Sequence, residues 1–278
     1  MKKISIAMRS RNDAEFVRRT LDAIFSQSRG NFELLSFDNA SSDGTAEILQ
    51  EYAAVQKFHI PDGEYVPGRV LNYAVSKCSG DIVVFNNADA VPADARWLEN
   101  ITAKIERGEA GACYARQTCR PDALDWVASD YSRAFGDIPM SAEFFSMASS
   151  AADIRILREN PFDESIKYSE DVLWAKGLRE KGVRVEYAPD AVVEHSHNYS
   201  TEAVKRRFAG EGRADAQIFG TPQGILKCAK GIAGAVARDL VFLARRGRLA
   251  KLPECVRARV AQKTSYYRAR REAAGKLP

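Results

Sequence analysis

The sequence predicts an α/β protein built on a mostly parallel sheet with helices on both faces. Three observations lead there. Short β-rich segments alternate with amphipathic helical ones over residues 3–85. The connections between them are short. Polar clusters recur just past the strands rather than inside them. A length of 278 residues suits one large α/β domain with an appendage.

The elements follow in order. Residues 3–8 alternate and read as the first strand. Residues 13–28 set Phe16, Val17, Leu21, Ile24 and Phe25 on one helical face, with Asn12 or Asp13 as N-cap. Residues 32–37 form the next strand, and the polar loop DNASSDG (38–44) leads into a helix over 45–52. Residues 58–60 read as a short strand, 68–78 as a helix stopped by Ser79-Gly80, and 81–85, with its run IVVF, as a buried strand. Residues 122–153 hold one helix and a small-residue segment, FFSMASSAAD. Ser169 then caps a helix with Glu170 and Asp171 in its first turn and Val172, Leu173, Ala175 and Leu178 behind them. Gly182 ends it, and 183–187 and 191–194 are two further extended pieces.

The composition is that of an ordinary globular protein, with 45% hydrophobic and 28% charged residues. No secretory leader is read at the start, and no stretch of about 18 apolar residues suggests a membrane span. Five cysteines without a C-x-x-C pair argue against a disulfide framework and for a reducing cytoplasm. The charge is unevenly spread. Residues 201–278 carry 18 Lys+Arg against 6 Asp+Glu, whereas residues 1–200 are net acidic. That shift, rather than a linker, divides a first domain at 1–205 from a basic, mainly helical extension at 206–278.

In open α/β sheets, ligands bind at the carboxyl ends of the strands. Ser10-Arg11-Asn12, Asp38-Asn39 and Asn86-Asn87-Ala88-Asp89 all fall there. Topology therefore gathers three distant clusters at one crevice. Asp89, just past a buried strand, is placed to hold a hard divalent cation such as Mg²⁺; an Asx-turn is the commoner reading for such a residue alone. Glu170-Asp171 suits a helix N-terminus on electrostatic grounds, and equally offers a general base. His195 and His197, two of only three histidines, share a face if the segment is extended. One imidazole then ligates a metal while the other orients phosphate, against the simpler reading of two surface histidines. Arg69 and Asn72 lie on one helical segment, where Arg69 reads as a phosphate contact or a solvated charge.

The order of these motifs is more specific than any one of them. SIAMRSRND, FDNASSDGT, GRVLNYAVSKCSGDIVVFNNADAVPADARWL and YSEDVLWAKGLREKGVRVEYAPDAVVEHSHNYS together resemble the inverting nucleotide-sugar glycosyltransferases of family 2, which have the GT-A fold. GACYARQTCRPDA, FFSMASSA and HSHNYS narrow the likeness to bacterial rhamnosyltransferase-like members. The resemblance covers about residues 3–205. It implies that Ser10 and Asp38 meet the base of a UDP- or dTDP-linked sugar, with Arg11, Asn12, Asn39, Arg69 and Asn72 beside the nucleotide. It implies that Asn87-Ala88-Asp89 is the D-x-D motif, with Asp89 on Mg²⁺ or Mn²⁺. It further implies that Asp171, next to Glu170, is the base, and that His195 or His197 reaches the metal or diphosphate. Two positions depart from the pattern. Asn87 and Asn39 stand where acids are usual, which lowers the anionic charge offered to a metal.

The expected activity is transfer of a sugar, rhamnose by this likeness, to a glycan or lipid-linked hydroxyl in bacterial surface polysaccharide synthesis. A nucleotidyltransferase is the alternative, but MRSRNDAEF lacks the glycine-rich phosphate loop it would want. A non-catalytic nucleotide-sugar-binding protein is a further one. Residues 224–245 mix Ile225, Leu226, Ile232, Val236, Leu240 and Leu243 with Lys227, Lys230, Arg238 and Arg245. This reads as an amphipathic helix for an anionic membrane or, equally, as a helix packed on its own protein. The run RARVAQKTSYYRARR adds charge. Only Tyr266-Tyr267 interleaves aromatics with it, so nucleic acid is not expected.

Overall fold

A computed structural model describes residues 2–138, 141, 143–220 and 224–275. The chain divides into two compact units. The first comprises residues 1–118, 135–166 and 170–195; the second comprises 119–134, 167–169 and 196–278.

The first unit contains one eight-stranded sheet. Its strands are β1 (Ile4–Ser10), β2 (Phe32–Asp38), β3 (Val55–His59), β4 (Ile82–Asn87), β5 (Val91–Pro92), β6 (Ala112–Thr118), β7 (Ser149–Asp153) and β8 (Val185–Glu194), in the order β3-β2-β1-β4-β7-β6-β8-β5. Pairing is parallel from β3 through β4 and between β6 and β8. It is antiparallel on both sides of β7 and at β5. The sheet is thus mixed. Helices α1 (Ala14–Phe25), α2 (Thr45–Gln50), α3 (Pro67–Lys77), α4 (Trp97–Glu106), α6 (Ile154–Glu159) and α7 (Glu170–Glu180) belong to the same unit, with α5 (Asp125–Ala134) in the other.

Both faces of the sheet are covered. Ile4, Ile6, Met8, Leu34, Ile82 and Val84 cluster with Val17, Leu21 and Ile24 of α1 and Trp97, Leu98 and Ile101 of α4. Each such side chain contributes about 1.5–3 kcal/mol when fully buried. Phe37 and Phe85 sit at odd offsets from Leu34 and Val84 and so point the other way. There Phe37 meets Tyr73 of α3 at 5.8 Å, and Phe85 meets Phe162 at 6.0 Å.

Several expectations are corrected. The small-residue segment before residue 153 contributes strand β7, buried throughout. Its small side chains make room for Trp97, whose indole N–H donates to Ser149 Oγ at 3.1 Å. The two extended pieces at 183–187 and 191–194 are one strand, β8. Its register against β6 jumps from Ala188 to Val192, bulging out Pro189, which has no ladder donor. Ser169 does not cap α7. Its φ of 58° is left-handed, whereas an N-cap is extended.

The second unit is helical: α5, α8 (Thr201–Phe219), α9 (Ile225–Arg245) and α10 (Leu252–Ala274). Helix α8 runs across 205/206, the boundary expected from composition. Ser200 caps it, accepting from the Ala203 N–H, and Gly220 at φ 65° ends it. Trp126, Val127, Val204, Leu243, Cys255 and Ala261 form the unit's core. Arg259, only 1% exposed, ties three helices together. Its Nε and Nη2 donate to Asp239 on α9 at 2.7 and 2.8 Å, its Nη1 to Asp130 at 2.6 Å and Gln262 at 3.0 Å, and its Nη2 to the Trp126 carbonyl at 3.0 Å. All five guanidinium donors are used. The basic run 257–271 is therefore partly inward-facing, since Arg270 is also buried. Tyr266 donates its hydroxyl to Asp215 within the unit.

Candidate active site

Parallel pairing aligns Ser10 with Asp38 and Arg9 with Asn87, so the carboxyl ends of β1, β2 and β4 lie side by side. Ser10 Oγ donates to Asp38 Oδ1 at 2.7 Å. Ser41 adds its Oγ at 2.6 Å and its backbone N–H at 3.0 Å to the same carboxylate. Three donors hold Asp38 in one orientation. Asn12, left-handed at φ 55°, joins the two loops: its N–H donates to Ser41 Oγ, and its Oδ1 accepts from the Ser42 N–H, both at 2.9 Å. The buried Asn39 Oδ1 has no hydrogen-bond partner among the described residues, which leaves an acceptor for a ligand donor. Arg11 is exposed and pairs with Asp62 at 3.1 Å.

The second cluster follows β4. Ala88 is fully buried, with its carbonyl accepting from Thr20 Oγ1 at 2.7 Å, so its role is to shape the turn. Asn87 Oδ1 accepts from Arg9 Nη2 at 3.1 Å. Asp89 is buried, and its Oδ1 lies 3.6 Å from His195 Nε2. On the far side of the ring, His195 Nδ1 lies 2.8 Å from Gln117 Oε1. A carboxylate oxygen and an imidazole nitrogen facing each other in a buried site are a donor set that fits a divalent cation. His197, two residues on, belongs to the second unit, where its ring stacks on Tyr199 at 5.2 Å.

The third cluster is the acidic pair at the start of α7. Asp171 Oδ2 accepts the Met147 N–H at 3.0 Å, and Oδ1 its neighbour Val172 N–H at 2.8 Å. Burial pushes the Asp171 carboxyl above the ordinary carboxylate range, against those two donors and Arg9. Glu170 is pushed up to about 7, first by burial and then by repulsion from Asp171. Arg9 Nη1 lies 3.8 Å from Glu170 Oε1 and 3.4 Å from Tyr65 Oη. One cation thus links the acidic pair to Asn87. The left-handed Ser169 immediately precedes the pair, a strained backbone of the kind found at functional sites.

Arg69 and Asn72 are engaged elsewhere. Asn72 donates to the Phe162 carbonyl at 3.0 Å and to Glu164 at 2.9 Å, and accepts the Phe162 N–H at 2.9 Å. Its amide therefore fastens the 162–164 loop to α3, and Arg69 pairs with Glu164 at 3.4 Å. Three residues of the site escaped the sequence reading: Arg9, Gln117 and Met147. For Arg9 a signal existed, a lone cation inside a strand otherwise buried. Gln117 and Met147 gave none, since one acts through a side-chain amide and the other through a backbone N–H.

The sheet topology and the polar ends of β1, β2 and β4 define the GT-A class of nucleotide-binding α/β fold. The mannosyltransferase PcManGT of Pyrobaculum calidifontis, solved with GDP-Man and Mn²⁺, superposes with a TM-score of 0.66 over 98% of this chain and 87% of its own, at 20% identity. Glucosyl-3-phosphoglycerate synthase of Mycobacterium tuberculosis, solved with Mn²⁺, UDP and phosphoglyceric acid, gives 0.58 over 78% and 79%, at 16% identity. Among sequence relatives, the O-antigen chain rhamnosyltransferase RfbN of Salmonella typhimurium is 25% identical over 224 residues, 76% of this chain and 71% of its own. Residues 5–165, more than half the chain, match the glycosyl transferase family 2 model. The chain belongs to that family.

Proposed function

We propose that the protein is an inverting glycosyltransferase of surface polysaccharide synthesis. It moves a sugar, rhamnose by its likeness to RfbN, from a UDP- or dTDP-linked donor to a hydroxyl of a glycan or lipid-linked acceptor. The observation that carries this reading is the Asp89–His195 pair at 3.6 Å, buried at the carboxyl end of β4. Asp89 and His195 are the ligands we assign to Mg²⁺ or Mn²⁺. Bound there, such a cation offsets charge on the departing diphosphate. Ser10, Asp38 and Asn39 take the base, with Arg11, Asn12, Asn87 and Ala88 shaping the nucleotide side. Arg69 and Asn72 act on it indirectly, by fixing the 162–164 loop.

Asp171 accepts the proton of the acceptor hydroxyl as that oxygen attacks the anomeric carbon from the face opposite the leaving group. One displacement inverts the centre. Two backbone N–H groups aim the carboxylate, and burial makes it more basic than an exposed Asp. Glu170 holds a proton near neutrality and keeps a second negative charge away from Asp171. The test is Asp171→Asn, with transfer and donor binding measured separately. Turnover is expected to fall by about 100- to 10,000-fold with donor affinity unchanged. Near-normal turnover sinks this base.

A peripheral, anionic-membrane location is also proposed. The outward side of α9 carries Leu226, Ala229, Ala233, Ala237, Leu240 and Val241, all exposed, beside Lys227, Lys230 and Arg238. The only acid of α9 is Asp239, buried on Arg259. No described helix is long and apolar enough to cross a membrane. A face of apolar and basic residues suits a surface of anionic lipid.

A further inference from the structure

The chain Ser146–Gln117–His195–Asp89 fixes which nitrogen of the imidazole faces the Asp89 carboxylate. Gln117 Nε2 donates to Ser146 Oγ at 2.7 Å, which turns Oε1 toward His195. An amide oxygen only accepts, so His195 Nδ1, 2.8 Å away, carries the proton. Nε2 then faces Asp89 Oδ1 at 3.6 Å, wide enough to admit a shared cation. Gln117 and Ser146 are both held on the sheet unit, Gln117 buried in β6. The next residue after Ser146 is Met147, whose N–H aims Asp171. Two consecutive residues ahead of β7 therefore brace the imidazole and the carboxylate alike.

We infer that Gln117 is a positioning residue that locks His195 in the Nδ1–H tautomer, so that Nε2 is preformed as a ligand for a divalent cation, with Ser146 orienting the Gln117 amide. The inference rests on the metal reading of Asp89 and His195. The outer partner of a ligating histidine typically contributes about 10- to 100-fold in metal affinity.

The experiment uses the full chain and Mn²⁺ alone, with binding measured by calorimetry, alongside ¹⁵N spectra of the histidine rings. Only three histidines contribute, so His195 is assigned by its loss in His195→Ala. The unaltered protein is expected to show His195 protonated at Nδ1. Gln117→Leu is expected to weaken Mn²⁺ about 10- to 100-fold and to mix the tautomers. Gln117→Glu, which keeps the acceptor, should restore both. An Nε2–H ring in the unaltered protein overturns the inference, as does a Gln117→Leu variant that binds Mn²⁺ like the parent. If the unaltered protein binds no Mn²⁺, the metal reading fails, and the ring spectrum alone still decides the role of Gln117.

Discussion

At the scale of single residues, the acidic pair sets the pH behaviour. Glu170 has its carboxyl raised from 4.5 to about 7, so folding takes up a proton between those values. The folded state then binds more protons than the unfolded chain, and stability falls as pH rises through that window. Glu170→Gln removes the titrating group. Its melting temperature relative to the parent should therefore rise between pH 5 and pH 8, and a constant difference across that range would count against the raised carboxyl. Asp171, Asp89 and the histidines were legible in the sequence because the chemistry they offer is visible in residue type. Arg9 was not, because its importance comes from reaching Glu170 and Asn87 across strands that sequence distance separates.

At the scale of elements, close approach decides where glycine is required. Gly212 lies inside α8, where replacing glycine by alanine ordinarily stabilises by about 1 kcal/mol. Here a Cβ would stand 2.4 Å from the Tyr266 carbonyl oxygen of α10. Gly212→Ala should thus lower the melting temperature, and an increase would show that the two helices separate easily. Gly68 is a parallel case in α3, where a Cβ would meet the Asp163 carbonyl oxygen at 2.1 Å. Helices with a clear apolar period, such as α1, α3 and α9, were legible within a few residues. Strand β7 was not. Its Ser and Ala residues have little strand preference, and they are a strand because β4 and β6 pair with them on both sides.

At the scale of the whole molecule, the basic C-terminal region holds two kinds of cation that composition merges into one number. Arg259 and Arg270 are buried structural cations, whereas Lys227, Lys230 and Arg238 face outward. Arg259→Met leaves Asp239 a buried carboxylate without its cation, and should cost about 3–5 kcal/mol in a denaturant titration. Removing residues 224–278 takes Leu243, Cys255 and Ala261 from the core around Trp126, so truncation tests folding rather than membrane attachment. The cleaner probe is Lys227→Glu with Lys230→Glu, assayed by co-sedimentation with neutral and anionic vesicles. Loss of anionic-vesicle binding with the melting temperature kept is expected. Equal binding of parent and variant to both vesicle types would leave the outward face of α9 without this role.

The sequence by itself determined the alternation of strands and helices up to β4 and the polar clusters at their ends. It also singled out the acidic pair and the two late histidines as candidates, because local period and residue chemistry are written in neighbouring positions. The tertiary structure decided what depends on long-range pairing. It inserted β7 antiparallel between β4 and β6, and merged two extended pieces into β8 around a proline bulge. It turned Asn72 into a loop fastener, faced His195 toward Asp89 with Gln117 behind it, and drew Arg259 inward. Each of these is set by which distant groups come together once each unit is folded, and no local pattern encodes that choice.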